Sequence, residues 1–171
     1  MTPITNSQTL KNLRAGQQIL FSGEIYTGRD AAHKRMIELL EKGEPLPFDI
    51  KDQVIYYAGP CPAPPGKIIG SVGPTTSKRM DAYSPRLIRE GLKIMIGKGE
   101  RSQEVIAAIQ QYNGIYLSAI GGAGALIAQC VKKSELIAFN DLGTEAIYKL
   151  TVEDFPLIAA IDSQGGNIFA R

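Results

Sequence analysis

At 171 residues, the chain falls within the roughly 100–200 residues typical of one domain and can bury about two-thirds of the surface its unfolded form exposes. Its 44% hydrophobic and 21% charged residues exclude a disordered chain and a coiled coil. Nineteen Lys+Arg against 17 Asp+Glu leave a net charge of +2, too small a surplus to specify nucleic acid or an anionic membrane as partner.

No internal repeat, charge block or Ser/Pro-rich linker divides the chain, so residues 1–171 read as a single domain. The first ten residues are polar and predict an extended arm, and the opening MTPITNSQTLKNLRAG lacks the apolar core of a signal peptide. Residues 17–26, QQILFSGEIY, predict two short strands turning at Ser22-Gly23. Residues 29–42 predict a helix, with Asp30 in its first turn and Gly43 placed to end it. Its apolar positions Met36, Ile37 and Leu40 continue a stripe that begins with Arg29 and His33 at i, i+4 spacing. A core-facing stripe with a charged N-terminal end points to a site opening at that end.

Strands are predicted next at 53–57, 67–72, 93–96 and 114–118, with helices at 85–91, 102–112 and about 124–131. Segments 135–139, 146–150 and 156–161 read as further strands. Strands alternating with helices, followed by strands in succession, indicate a mixed α/β fold. No stretch approaches the roughly 18 apolar residues of a membrane span. Two cysteines, Cys61 and Cys130, are too few to hold a four-thiolate zinc site or an iron–sulfur cubane alone, and such usage suits a reduced cytoplasm.

Glycine and proline gather in the junctions GPCPAPPG (59–66), GPTTSKR (73–79), GKGER (97–101) and GGAG (121–124). In open α/β sheets, such junctions at the carboxyl ends of strands are where ligands sit. In GPTTSKR, hydroxyls and free N–H groups at a helix start, with Arg79 one turn beyond Thr75, could meet a carboxylate together. The plainer alternative is that the hydroxyls cap the helix and Arg79 is solvated. Lys98, between two glycines, suits either close approach to a bound group or an exposed turn, and the spacing is not that of a P-loop. GGAG lacks the order of a dinucleotide loop and reads as close helix packing. His33 is the only histidine, which leaves no familiar metal set or Ser/His/Asp constellation.

Four segments, SGEIYTGRDAAHKRM (22–36), IYYAGPCPAPPGK (55–67), GPTTSKRMD (73–81) and GKGERS (97–102), together resemble the β subunit of class I, iron–sulfur-dependent fumarases and of related tartrate dehydratases. The likeness runs to the final IDSQGGNIF (161–169). It implies a swivelling β/β/α fold and a hydro-lyase that reversibly hydrates fumarate to (S)-malate, or in the related enzymes dehydrates L-tartrate to oxaloacetate. It further implies a partner α subunit, two α with two β, which binds a 4Fe-4S cluster that this chain does not. By motif, Arg29, Arg79 and Lys98 would bind the substrate carboxylates, and Thr75 would act in proton transfer with help from an acidic α-subunit residue. His33 would orient substrate or a partner group, and Asp30 would be a helix-start charge or the anchor of an arginine. Cys61 departs from the pattern and would not serve the cluster. The rival from another class is a non-catalytic carboxylate-binding or assembly module, against which the intact set of Arg29, Thr75, Arg79 and Lys98 argues.

Overall fold

The computed structural model describes residues 1–119 and 124–170. Among these residues seven strands form one sheet: β1 (Thr2–Ile4), β2 (Gln18–Thr27), β3 (Val54–Tyr56), β4 (Ile94–Gly97), β5 (Ile115–Ala119), β6 (Val131–Ala138) and β7 (Ile147–Ile161). The first five run parallel in the order β1-β2-β3-β4-β5. Strand β7 runs antiparallel and pairs with both β5 and β2, so the circuit β2-β3-β4-β5-β7 closes on itself. Strand β6 extends it along the other half of β7.

The period of two along each strand divides the apolar residues between two cores. Phe21, Ile25, Tyr56, Ile96, Leu117 and Phe155 belong to one, which Val72 and Ile127 join. Ile55, Met95 and Tyr116 belong to the other, beneath helices α2 (Asp30–Glu41), α3 (Ser84–Arg89) and α4 (Gln103–Gln111). Those helices lie outside the circuit, which leaves the first core within it. Helix α2 stops where Gly43 takes φ +71°. Helix α4 starts on Ser102, whose hydroxyl accepts the Val105 N–H at 3.3 Å.

Several elements differ from the sequence reading. The opening residues are not an arm: β1 pairs with β2, and a short helix α1 (Ser7–Leu10) buries Leu10. Residues 18–27 are one strand, because Ser22-Gly23 marks a register shift against β7 rather than a turn. A side chain at Gly23 would press within 2.7 Å of the Phe21 ring, so the glycine serves close packing. Segments 146–150 and 156–161 lie in the single strand β7, in which Asp154, at φ +52°, takes up the same irregularity. Segment 67–72 is no strand. It belongs to a loop, with prolines at 60, 62, 64 and 65 before it, that folds on itself through Cys61 N–H to Ser71 O (2.9 Å) and Gly70 N–H to Cys61 O (3.1 Å). Of the GGAG junction, residues 121–123 lie outside the described residues. Gly124 begins α5 (Gly124–Cys130) and packs against Ser71 and Gly73, where a side chain would collide. No helix among the described residues is long and apolar enough to cross a membrane.

Candidate active site

Register fixes where the functional segments emerge. Thr27 lies beside Tyr56, and Tyr56 beside Ile96, in three adjacent parallel strands. The segments that follow, beginning at Gly28, Tyr57 and Lys98, therefore leave one edge side by side. Arg29, Asp30 and His33 follow β2, Thr75 and Arg79 lie on the long excursion after β3, and Lys98 follows β4. This is the carboxyl edge of the parallel strands, the usual ligand position in α/β sheets.

Asp30 joins two of the cations. Its Oδ2 accepts from Arg79 Nε at 3.0 Å, and its Oδ1 lies 3.9 Å from Arg29 Nε. It is thus both the first-turn charge of α2 and an arginine anchor. Arg79 engages Asp30 through Nε alone among the described residues, and its two Nη groups form the fork that suits a planar carboxylate. Arg29 occupies the N-cap position of α2 without a side-chain cap. Gly59 lets the Arg29 side chain pass: a Cβ there would stand 3.0 Å from both Arg29 Cδ and the Thr144 carbonyl. Arg29 Nε and Asp30 Oδ1 are buried and lack a hydrogen-bond partner among the described residues, so the start of α2 holds unspent polar capacity.

His33 is fully buried. Its Nδ1 lies 2.8 Å from the Arg29 carbonyl, which can only accept, so Nδ1 carries the proton and Nε2 a lone pair. Nε2 has no partner among the described residues. Burial lowers the pKa from 6.5 to about 4, so the ring is neutral at physiological pH. Its edge meets the Tyr57 ring, with centroids 5.3 Å apart.

Thr75 is fixed by its backbone, donating its N–H to the Tyr57 carbonyl at 2.7 Å. The helical turn Ser77–Met80 begins after it, with Thr76 in the capping position and no side-chain cap. Capping therefore does not account for this run of hydroxyls. Thr76 forms a bridge with Lys98, and the Ser77 N–H donates to the Lys98 carbonyl at 2.9 Å, so the GPTT and GKG segments are stitched together. A methyl group on Gly97 would collide with the Ser77 hydroxyl, so the last residue of β4 must be glycine for this contact.

Two supports were not singled out in the sequence. The Glu145 carboxylate accepts the Ala31 N–H at 3.2 Å, capping α2 from a distant segment. Arg35 holds that segment through a two-pronged contact with Asp141, 2.8 Å at each nitrogen, and lies over the Phe139 ring. Deeper in, Arg101 has no exposed side-chain surface and pairs with Asp81 at 2.7 Å. Burial opposes its charge, but Tyr57, Asp81 and Tyr116 outweigh that and keep the guanidinium protonated. Both Asp81 and Arg101 stand in the GPTTSKRMD and GKGERS motifs, where a run of polar loop residues gives no sign that one is buried.

The cysteines do not fit a cluster. Cys61 is exposed on its proline-rich loop, Cys130 closes α5, and no group of three or more metal-ligating side chains occurs among the described residues.

The profile of the family described as "Fumarase C-terminus" matches residues 2–171. The chain is 43% identical over 166 residues to the aerobic class I fumarate hydratase of Salmonella typhimurium, covering 96% of this chain and 29% of that protein. It is 46% identical over 156 residues to the anaerobic class I fumarate hydratase of Escherichia coli strain K12, covering 90% and 28%. A Methanocaldococcus jannaschii chain provisionally named L(+)-tartrate dehydratase subunit beta is 39% identical over 166 residues, covering 94% of this chain and 85% of that one. The chain thus spans under a third of the length of the fumarate hydratases it matches. A match over nearly the whole sequence decides the family: this chain belongs to the fumarase C-terminus family.

Proposed function

We propose that this chain is the β component of a class I fumarate hydratase, a single domain of the swivelling β/β/α type that completes a site on an α subunit. The reaction is the reversible addition of water to fumarate, giving (S)-malate. The observation that carries this reading is the meeting of Arg29, Asp30, Arg79, Thr75 and Lys98 on one sheet edge, from three separate segments. Arg29 and Arg79, aligned by one carboxylate, bind a carboxylate group of the substrate, and Lys98 serves the other. Thr75 moves a proton at Oγ, aided by an acidic residue of the α subunit, because a lone alkoxide is too basic at neutral pH. His33 acts from below, holding the Arg29 carbonyl. The 4Fe-4S cluster belongs to the α subunit, two of which would assemble with two of this chain in the cytoplasm.

L-tartrate dehydration to oxaloacetate is the second reading, favoured by the 85% coverage of the provisionally named tartrate dehydratase chain. The two substrates differ by one hydroxyl, so the assay must compare them directly. The complex assembled with its α subunit should turn over fumarate and (S)-malate with a higher kcat/KM than L-tartrate, and this chain alone should turn over none. A preference for tartrate would replace the first reading with the second. Failure to turn over any of the three would leave a non-catalytic binding module as the better account.

A further inference from the structure

We infer that Arg101 is a positioning residue for the site: its buried guanidinium, held between Tyr57 and Tyr116, sets the relative placement of the segments that carry Thr75, Arg79 and Lys98. The inference rests on the hydro-lyase reading only for what the site does; the geometry stands on its own. Arg101 Nε meets Asp81 Oδ1 at 2.7 Å, and Nη2 meets the Tyr57 hydroxyl at 3.1 Å and the Ser84 hydroxyl at 3.0 Å. The guanidinium carbon lies 5.1 Å from the Tyr57 ring centroid and 4.7 Å from that of Tyr116.

Each partner reaches a different part of the site. Tyr57 holds the Thr75 N–H through its carbonyl and touches the His33 ring with its own. Asp81 caps the turn that carries Arg79, and its Oδ2 accepts the Ser102 N–H at 2.6 Å. The Tyr116 hydroxyl stands 2.8 Å from both the Ser77 hydroxyl and the Gly99 carbonyl, tying the GPTT segment to the GKG segment. One charge is thus bonded or stacked against residues that hold the segments bearing Thr75, Arg79 and Lys98, while the Arg29 segment is reached only through the contact of Tyr57 with His33.

Stability alone does not explain such a residue. Apolar groups of similar volume often replace a buried ion pair with no loss of stability, whereas fixing one geometry is a role such pairs do serve. The aromatic slot also needs a flat cation with donors at three positions, which lysine cannot supply.

The test uses the complete enzyme with three variants: Tyr116→Phe, Arg101→Lys and Asp162→Asn. Tyr116→Phe keeps the ring and removes only the tie to Ser77 and Gly99. Asp162→Asn is the control. It follows β7 at the edge away from the site, and its carboxylate accepts from the Ala15 N–H before β2 and from the Gln164 and Gly166 N–H groups. Amide exchange at Thr75 and Ser77 should rise at least about tenfold in the first two variants and stay unchanged in the control. In those two variants kcat should fall by roughly tenfold to a hundredfold with a smaller change in KM, whereas the control loses melting temperature alone. Unchanged exchange at Thr75 and Ser77 in both Tyr116→Phe and Arg101→Lys would overturn the inference, whatever the kinetics. Absence of dicarboxylate turnover in the unmodified enzyme would refute the functional reading alone, and the exchange comparison would still decide the positioning role.

Discussion

Replacing Thr75 with valine separates catalysis from architecture at one hydroxyl. The substitution keeps the branched shape and removes only Oγ. The backbone of residue 75 stays anchored, since its N–H bond to the Tyr57 carbonyl (2.7 Å) does not involve the side chain. The adjoining turn starts at Ser77 with Thr76 in the capping position, so the loss of about 1 kcal/mol that follows removal of a helix cap is not expected. If Oγ moves the proton, kcat should fall by about 10²–10⁴, equivalent to about 3–5 kcal/mol of barrier at about 1.4 kcal/mol per tenfold. KM should hardly move, because the carboxylate contacts are proposed to belong to Arg29, Arg79 and Lys98. The measurements are steady-state hydration of fumarate by the assembled enzyme and the melting temperature of the variant. A kcat within a few-fold of the parent would remove Thr75 from the catalytic set. A near-normal kcat with a lowered melting temperature would make it a structural hydroxyl after all.

Two further predictions concern its neighbours. Arg79→Ala should lower kcat/KM by roughly two to three orders of magnitude with KM visibly raised, since truncating one partner of a desolvated charge pair costs about 2–5 kcal/mol. Its melting temperature should change little, because the Arg79 side chain is 52% exposed in this chain and exposed ion pairs contribute about 0–1 kcal/mol; recovery of kcat/KM by Arg79→Lys would refute the two-pronged contact. For His33, the folded pKa of about 4 lies below the ordinary 6.5, so the unfolded chain takes up the proton first and stability falls as the pH drops from 6.5 towards 4. The loss should be about 3 kcal/mol, read by urea unfolding across that window. A His33→Gln variant that loses stability in parallel with the parent would show that another group titrates.

The helices were legible because periodicity and end signals agreed. Asp30 and Gly43 bracket α2 as expected, and Ser102 caps α4. The central strands were legible because VIY, IMIG and IYLSA are short apolar runs between breakers. What misled was punctuation with two meanings. Gly23 signals a turn when read locally, yet in the fold it makes room for Phe21 within a strand. Pro156 looks like a strand start, yet it sits inside β7 next to the Asp154 irregularity. The N-terminal arm became a strand because β2 offered it an edge, a choice no local propensity records. At the candidate site, the motifs supplied the cations proposed for it. They did not supply the connections, because Asp30 meets Arg79 across 49 positions and Ala31 meets Glu145 across 114.

Charge explains why composition alone gave no hint of an anion site. Arg29, Arg79 and Lys98 set three positive groups against Asp30, and the whole chain carries a surplus of only +2. Outside these four residues the acidic and basic side chains are therefore equal in number. Those four residues alone sum to +2 on the edge where β2, β3 and β4 deliver their loops. A near-neutral chain with one concentrated positive edge neither attracts polyanions along its surface nor repels a second protein across it. On the proposed reading it would favour a small dianion at that edge, most strongly once another surface closed over the edge and removed water. That is the electrostatic reason to look for the proposed α subunit over the carboxyl ends of these strands, and to measure carboxylate affinity in such a complex rather than in this chain alone.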